Sequence, residues 1–246
     1  MARDLAVMTQ ASPRTRARLA GIVYLLFFAT ATIGALVSPG ISGPSANADA
    51  AATANNIMAH QSLFRLGWAL DLISTWFYVA LIALFYRLFR PVNKTVALLA
   101  AFFGIVGCAV TAFGSLFQLA PLVVLGGSSY LSVFDPKQLQ ALAVIFLNLN
   151  VQVGYIALVF FGGFQLALGH LIFRSTFVPR AIGVLIALAG VGWLTFLSPP
   201  LANQLLTPLE VVGIVAEASL MLWLLVVGVN AQRWTAVAVA AADGRG

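Results

Sequence analysis

Long apolar stretches, separated by short polar or proline-containing segments, dominate the chain. Six of them reach the roughly 20 residues that a helix needs to cross about 30 Å of hydrocarbon. The predicted spans cover residues 19–38, 63–86, 95–125, 147–172, 181–198 and 208–232. The pattern therefore predicts an all-α integral membrane bundle of six transmembrane helices over residues 19–232, between an N-terminal segment, 1–18, and a tail, 233–246.

Weaker helical signals flank the predicted spans. The fourth span ends a helical pattern that begins at Pro136, so residues 137–146 are expected to form an amphipathic lead-in at the membrane interface. Asp49, in the loop 39–62, is placed to cap a weakly amphipathic helix, because its carboxylate can accept from the free N–H groups of a first turn. Pro199 and Pro200 are expected to close the fifth span.

Small residues mark the faces on which the predicted helices are expected to pack. Gly183, Ala187 and Gly190 share one side of the fifth span at helical spacing. Such residues let two helix backbones approach closely, which is how membrane bundles pack without a strong hydrophobic drive between helices.

Composition excludes a soluble fold. Hydrophobic residues make up 61% of the 246 residues, and charged residues only 8%, against about 25% in soluble domains. So few charged side chains cannot cover the surface of a globule in water. The single cysteine excludes an intramolecular disulfide and any multi-cysteine metal site.

The basic residues predict the orientation of the chain. Of the 13 Lys and Arg residues, all but Arg65 and Lys137 fall on one side of the predicted topology. These residues are Arg3, Arg14, Arg16, Arg18, Arg87, Arg90, Lys94, Arg174, Arg180, Arg233 and Arg245. Because positive charge is retained on the cytoplasmic side, both termini are expected there. The net charge of +6 therefore indicates topology, and no nucleic-acid partner is expected.

Two carboxylates, Asp71 and Glu217, lie deep within predicted spans. Each comes about nine residues after its span enters from outside, which at about 1.5 Å per residue predicts a depth of roughly 10–14 Å for both. An acid at the centre of a membrane helix costs about 2.5–3.5 kcal/mol on insertion scales, so both are expected to face the bundle interior and to have a partner.

The polar residues near these acids suggest an outward-facing pocket that holds a proton, a small cation or a small solute. Its floor would be the two acids, with amide groups at the same depth and Arg65 and Glu210 at the mouth. The candidate pocket residues are Arg65, Asp71, Tyr78, Gln118, Asn148, Gln152, Glu210 and Glu217. In the alternative, Arg65 neutralises one acid, amides bridge helices, and the chain is a structural or regulatory membrane partner without a ligand.

The motifs of the common enzyme classes are absent from the sequence. It contains no Walker A sequence, GxGxxG, HExxH or GxSxG. His60 and His170 fall on opposite sides of the predicted membrane and cannot share a metal ion. No catalytic residue, metal or cofactor is therefore predicted, and a lipid-acting enzyme using Tyr155 or His170 is the least favoured alternative.

Several segments of the chain resemble a family of bacterial multi-pass membrane proteins known as domain of unknown function 4386. They are ARLAGIVYLLFF at 17–28, SLFRLGWALDLI at 62–73, FRPVN at 89–93, FDPKQLQALAVIFLNLN at 134–150 and FGGFQLALGHLIFRSTFVPRAIGVLIALAGVGWL at 161–194. The resemblance implies a six-helix integral membrane protein of a bacterial envelope, in the plasma membrane. It implies no activity and no functional residues.

Overall fold

The structure, a computed structural model, describes residues 12–37 and 49–243. Over these residues it contains eight α-helices and no strand, which confirms the all-α class. In chain order they are α1, Pro13–Val37; α2, Ala50–Ala59; α3, Gln61–Phe89; α4, Lys94–Val124; α5, Pro136–Arg174; α6, Arg180–Leu194; α7, Pro199–Leu222; and α8, Ala231–Ala242. Short 3-10 turns at Ser129–Leu131 and Thr195–Leu197 follow α4 and α6.

Six helical segments are long and apolar enough to cross a membrane. They are Pro13–Val37, Gln61–Phe89, Lys94–Val124, Pro136–Arg174, Arg180–Leu197 and Pro200–Val227, which confirms the predicted number of spans. Large apolar side chains on these helices are exposed, among them Trp76 at 76% and Leu36 at 72%. Exposed apolar surface on this scale suits contact with lipid tails. The chain is therefore a multi-pass membrane protein in contact with the lipid bilayer.

Side-chain caps start two of the helices where the sequence places them. Asp49 Oδ1 accepts from the backbone N–H groups of Ala51 and Ala52 at 2.9 and 3.2 Å, so the predicted cap of α2 is confirmed. Asp135 and Gln138 exchange hydrogen bonds between side chain and backbone at 2.9 and 3.0 Å, a capping box that begins α5. The lead-in 137–146 and the fourth span accordingly form one continuous helix.

The predicted start of the sixth span, residue 208, is wrong, because α7 begins at Pro199. Prolines suit the first turn of a helix, where the missing N–H would be unpaired in any case, so Pro199 and Pro200 begin α7 instead of closing the helix before it. Pro208 lies inside α7. Membrane helices tolerate an internal proline because neighbouring groups can satisfy the freed carbonyl.

The predicted end of the sixth span, residue 232, is also wrong. After α7 the chain widens into a π-helical turn, Trp223–Val227, in which the Gly228 N–H donates to the Trp223 carbonyl at 2.9 Å. Gly228 then takes a φ of +74°, which glycine adopts without strain, and the helix ends. The expected tail 233–246 contains most of a separate helix, α8, capped by the Asn230 side chain.

The described residues fall into two compact units. The first comprises residues 12–25, 78–106 and 158–243; the second comprises 26–37, 49–77 and 107–157. In the first unit α5 and α6 meet through glycines: a Cβ on Gly169 would lie 2.7 Å from the Gly183 carbonyl oxygen, and one on Gly190 would lie 2.8 Å from that of Gly162. The expected packing role of the Gly183–Gly190 face is therefore confirmed.

Further contacts hold the helices together within each unit. In the first unit, Trp234 of α8 donates from its indole nitrogen to the Leu88 carbonyl at 2.9 Å and so attaches α8 to the end of α3. In the second unit, an apolar core joins α2, α3, α4 and α5. Its buried members are Ile57, Phe64, Leu122 and Leu147.

Candidate functional site

Asp71 lies in α3, in the second unit, where an amide holds its carboxylate. The buried Gln118 side chain of α4 donates from Nε2 to Asp71 Oδ2 at 3.1 Å. On the next turn of α3, Ser74 and Thr75 donate their hydroxyls to the Asp71 backbone carbonyl, at 2.8 and 2.9 Å, and not to the carboxylate. The structure thus brings together Asp71 and Gln118, two of the predicted pocket residues.

The backbone of α1 closes one side of this carboxylate. A Cβ atom on Gly34 would lie 2.9 Å from Asp71 Oδ1, which is closer than real Cβ atoms approach other atoms. Glycine at this position therefore lets α1 approach α3 with the carboxylate between them. We refer to Gly34, Asp71 and Gln118 as the Asp71 centre.

Carbonyl groups of α4 link the neighbouring helices of the second unit. Ser115 O accepts from the indole nitrogen of Trp68 in α3 at 3.1 Å, and Gly114 O accepts from Asn150 Nδ2 of α5 at 2.9 Å. Trp68 and Ser115 each lie one turn before Asp71 and Gln118, respectively. These bonds fix the register of the helices that carry the Asp71 centre.

Glu217 lies in α7, in the first unit, where neutral groups donate to its carboxylate. Gln165 of α5 donates from Nε2 to Glu217 Oε1, and the Tyr24 hydroxyl of α1 forms a further hydrogen bond with this carboxylate. Tyr24 and Gln165 are each only 2% exposed, and Glu217 is partly buried. We refer to Tyr24, Gln165 and Glu217 as the Glu217 centre.

One oxygen of the Glu217 centre is an unused acceptor. Gln165 Oε1 is buried and has no hydrogen-bond partner among the residues that the structure describes. A buried acceptor left in this way costs about 1–3 kcal/mol. Because it belongs to the amide that donates to Glu217, the centre contains both carboxylate and amide oxygens, which are groups that can bind a proton or a small cation.

Aromatic side chains surround part of the first unit's interior. Tyr24 packs edge-on against Phe85, with ring centroids 5.9 Å apart. Tyr78, two turns after Asp71 in α3, is buried in the first unit, edge-on against Phe161 and Phe164 at 5.1 and 5.9 Å. These rings lower the local dielectric and strengthen electrostatic interactions within the unit.

The other predicted pocket residues do not join either centre through hydrogen bonds. Arg65, Gln152 and Glu210 are exposed, and Asn148 is partly buried. Among the described residues, none of the four side chains makes a hydrogen bond, and Arg65 forms no ion pair with an acid. The interpretation in which Arg65 neutralises an acid therefore gains no support from these contacts.

The helix bounds also remove the basis for placing both acids at the same depth. Asp71 comes ten residues after α3 begins at Gln61, whereas Glu217 comes eighteen residues after α7 begins at Pro199. The sequence-based estimate counted from residue 208 and so missed nine residues of helix. At about 1.5 Å per residue, the two carboxylates lie roughly 15 and 27 Å from the starts of their helices.

Sequence reasoning missed the partners of Glu217 and the α1 contacts. Gln165 and Asn150 are amides within the fourth span, and the cost of burying an amide without a partner was the signal that could have singled them out. Tyr24 and Gly34 lie in a mostly apolar span, and only the packing of α1 gives them a role. Among the described residues, no group of three or more His, Cys, Asp or Glu side chains is placed to hold a metal ion.

Comparison with known proteins gives one match. Searches of curated proteins and of solved structures find no similar chain. Residues 19–228, which cover most of the first span, all of the other five and both polar centres, match the family described as "Domain of unknown function (DUF4386)". The chain therefore belongs to this family of membrane proteins, as its sequence resemblance implied.

Proposed function

We propose that the chain is a proton- or cation-linked carrier, or a binding module, for a small solute in a bacterial plasma membrane. One observation carries the proposal: Glu217 lies within a membrane-spanning helix, and the described groups that donate to its carboxylate, Gln165 and Tyr24, are both neutral. The bacterial plasma membrane rests on the family resemblance.

A carboxylate without a basic partner is unstable as an anion in hydrocarbon. Insertion scales put the cost of an acidic side chain at the helix centre at about 2.5–3.5 kcal/mol. Neutral hydrogen bonds reduce this cost but leave the charge in place, whereas a bound proton removes it and a bound cation balances it. The unused Gln165 Oε1 would supply a second oxygen to such a cation.

The Asp71 centre has the same chemistry in the second unit. Its carboxylate accepts from a neutral amide, that of Gln118, and lies against the backbone of α1. We propose Asp71 as a second protonation or cation site, in the outward-facing half of the predicted topology. Arg65, Asn148 and Gln152 stay candidates for the path to Asp71, and Tyr78 and Glu210 for the path to Glu217.

Proteoliposomes that contain the full chain test this proposal. Proton uptake, driven by a potassium–valinomycin potential and reported by a trapped pH dye, is measured with and without a panel of small cations and neutral solutes. We expect protein-dependent uptake that Glu217→Gln abolishes, because an amide neither takes up a proton nor balances a cation. Asp135→Asn is the matched control: it makes the same change outside the spans, and asparagine keeps the helix cap.

Two results would contradict the proposal. Wild-type protein without proton or solute flux across the whole panel is one; unchanged flux in folded Glu217→Gln protein is the other. Either favours a structural or regulatory partner, in which Gln118 and Gln165 only bridge helices. That alternative expects the neutral variants to lower thermal stability and a specific protein to co-purify.

A further inference from the structure

A cleft of about 640 Å³ opens in the first unit where the π-helical turn after α7 gives way to α8. Its walls come from the end of this turn, from the loop 176–179 between α5 and α6, and from the start of α8. Arg14, near the start of α1, completes it. None of the polar groups proposed above for proton or cation binding lines this cleft.

The break in the helix creates this space. Residues 228–230 leave the helical path after Gly228 turns with a positive φ, and α8 begins in a new direction at Ala231. A Cβ on Gly228 would lie only 3.1 Å from Arg14 Cγ, so the aliphatic stem of Arg14 rests on this turn while the residue as a whole stays exposed. The cleft therefore has an apolar floor with a charged rim.

The charged side chains in the described lining of the cleft are all positive. Its described lining contains two arginines, Arg14 and Arg233, and no acidic residue. Arg233 Nη1 donates to the Thr176 carbonyl at 3.1 Å, which leaves its other guanidinium N–H groups for a ligand. The Arg14 guanidinium makes no hydrogen bond with a described residue. Two guanidinium groups that have no carboxylate partner in the described part of the chain favour a phosphate, which accepts paired N–H bonds.

Apolar side chains and hydrogen-bond donors beside the arginines further restrict the class of ligand that fits the cleft. Phe177, Val178 and Val229 line the cleft, so a phosphate attached to an apolar body fits it better than a bare ion. Trp223 also lines it, and its indole N–H is buried without an acceptor in the described structure. The first residues of α8, Ala231 and Gln232, add N–H groups at the positive end of a helix.

We infer that this cleft binds a phosphate monoester, with Arg14 and Arg233 as its anion contacts. The phosphate could belong to a lipid headgroup or to a soluble phosphate ester, and the chemistry of recognition is the same in both cases. The inference does not depend on the Glu217 or Asp71 centres, so either proposal can fail without the other.

Binding to the purified full chain in detergent tests the inference. The probes are dihexanoyl phosphatidic acid, dihexanoyl phosphatidylcholine and glycerol 3-phosphate, measured by calorimetry and by native mass spectrometry. We expect phosphatidic acid to bind more tightly than phosphatidylcholine. The double variant Arg14→Gln/Arg233→Gln should weaken phosphatidic acid binding by about tenfold or more, because two charge-assisted contacts are lost.

The matched control removes equal charge elsewhere in the same unit. Arg87→Gln/Arg90→Gln changes two exposed arginines outside the cleft and should keep the wild-type affinity within about twofold. Phosphatidic acid binding with little glycerol 3-phosphate binding would assign the site to a lipid headgroup; comparable binding of both would assign it to a soluble ester. Absence of binding by every probe, equal affinity for phosphatidylcholine, or equal losses in the two double variants would overturn the inference.

Discussion

Gly34 in α1 and Asp71 in α3 are in such close contact that a methyl group on the glycine would lie 2.9 Å from Asp71 Oδ1. The same methyl group would lie 3.3 Å from Leu70 Cβ and 3.4 Å from Gly67 O, which are tight but tolerable distances. The Asp71 carboxylate is therefore the group that limits the size of the side chain at residue 34 of α1.

Gly34→Ala should destabilise the protein by displacing Asp71 from Gln118. Overpacking of this kind costs about 1–3 kcal/mol, which thermal unfolding in detergent would register as a lower midpoint. Gly154→Ala is the control in the same unit, since an added Cβ there meets nothing within 4 Å. It should be neutral or stabilise by up to about 1 kcal/mol through helix propensity.

A double-mutant cycle identifies the atom responsible. In an Asp71→Ala background the 2.9 Å contact is gone, so Gly34→Ala should cost clearly less than it does in the wild type. Equal costs in both backgrounds would mean that Leu70 and Gly67, and not the carboxylate, limit the approach of α1.

The hydrogen bond between Gln165 and Glu217 predicts that substitutions at the two residues have non-additive effects on stability. Gln165→Leu leaves the carboxylate with one donor fewer and should lower the unfolding free energy by about 1–3 kcal/mol. Glu217→Leu should also destabilise, because it leaves the Gln165 amide without its acceptor. The double variant Gln165→Leu/Glu217→Leu should be closer to wild type than the sum of the single changes, since it removes both ends of the Gln165–Glu217 bond and only the Tyr24 hydroxyl then loses its contact with Glu217. Additive losses in thermal unfolding would argue against the bond.

The sequence predicts the helices of this protein much better than its contacts. Hydropathy and length identify six spans because the bilayer imposes a minimum helix length. The predicted start of the sixth span, residue 208, differs from the structure because a proline pair is compatible with the beginning of a helix as well as with its end. The predicted end, residue 232, differs because of the π-helical turn and Gly228. A π-helical turn has no clear pattern in the hydrophobic spacing.

The candidate site was predictable only in part, for a related reason. The cost of burying a carboxylate singles out Asp71 and Glu217, and a polar partner can be expected for each. Which amide becomes that partner depends on helix rotation and neighbour choice, which one sequence does not specify. Gln118, which donates to Asp71, is one of the predicted pocket residues, whereas Gln165, the partner of Glu217, lies outside the predicted outer half of the fourth span.

The contact between α5 and α6 should be intolerant of even one methyl group. A Cβ on Gly169 would lie 2.7 Å from the Gly183 carbonyl and 2.8 Å from the Ala187 nitrogen, both backbone atoms that cannot rotate away. We expect Gly169→Ala to cost about 1–3 kcal/mol or more, measured by thermal unfolding. Gly154→Ala, in the middle of α5, where an added Cβ meets nothing within 4 Å, is again the control. Similar midpoints for the two variants would show that α6 shifts at little cost.

Cysteine labelling tests the predicted orientation directly. The chain has one cysteine, Cys108, which is 3% exposed, so a Cys108→Ala background removes the only native thiol. Tyr130→Cys places a thiol at a position that is 64% exposed in the loop between α4 and α5, and Ala242→Cys places one at the exposed end of α8. Because basic residues favour a cytoplasmic location for the termini, a membrane-impermeant maleimide should label Tyr130→Cys but not Ala242→Cys in intact cells. Both should react after permeabilisation, and the reverse pattern in intact cells would invert the orientation and place the arginine-rimmed cleft outside.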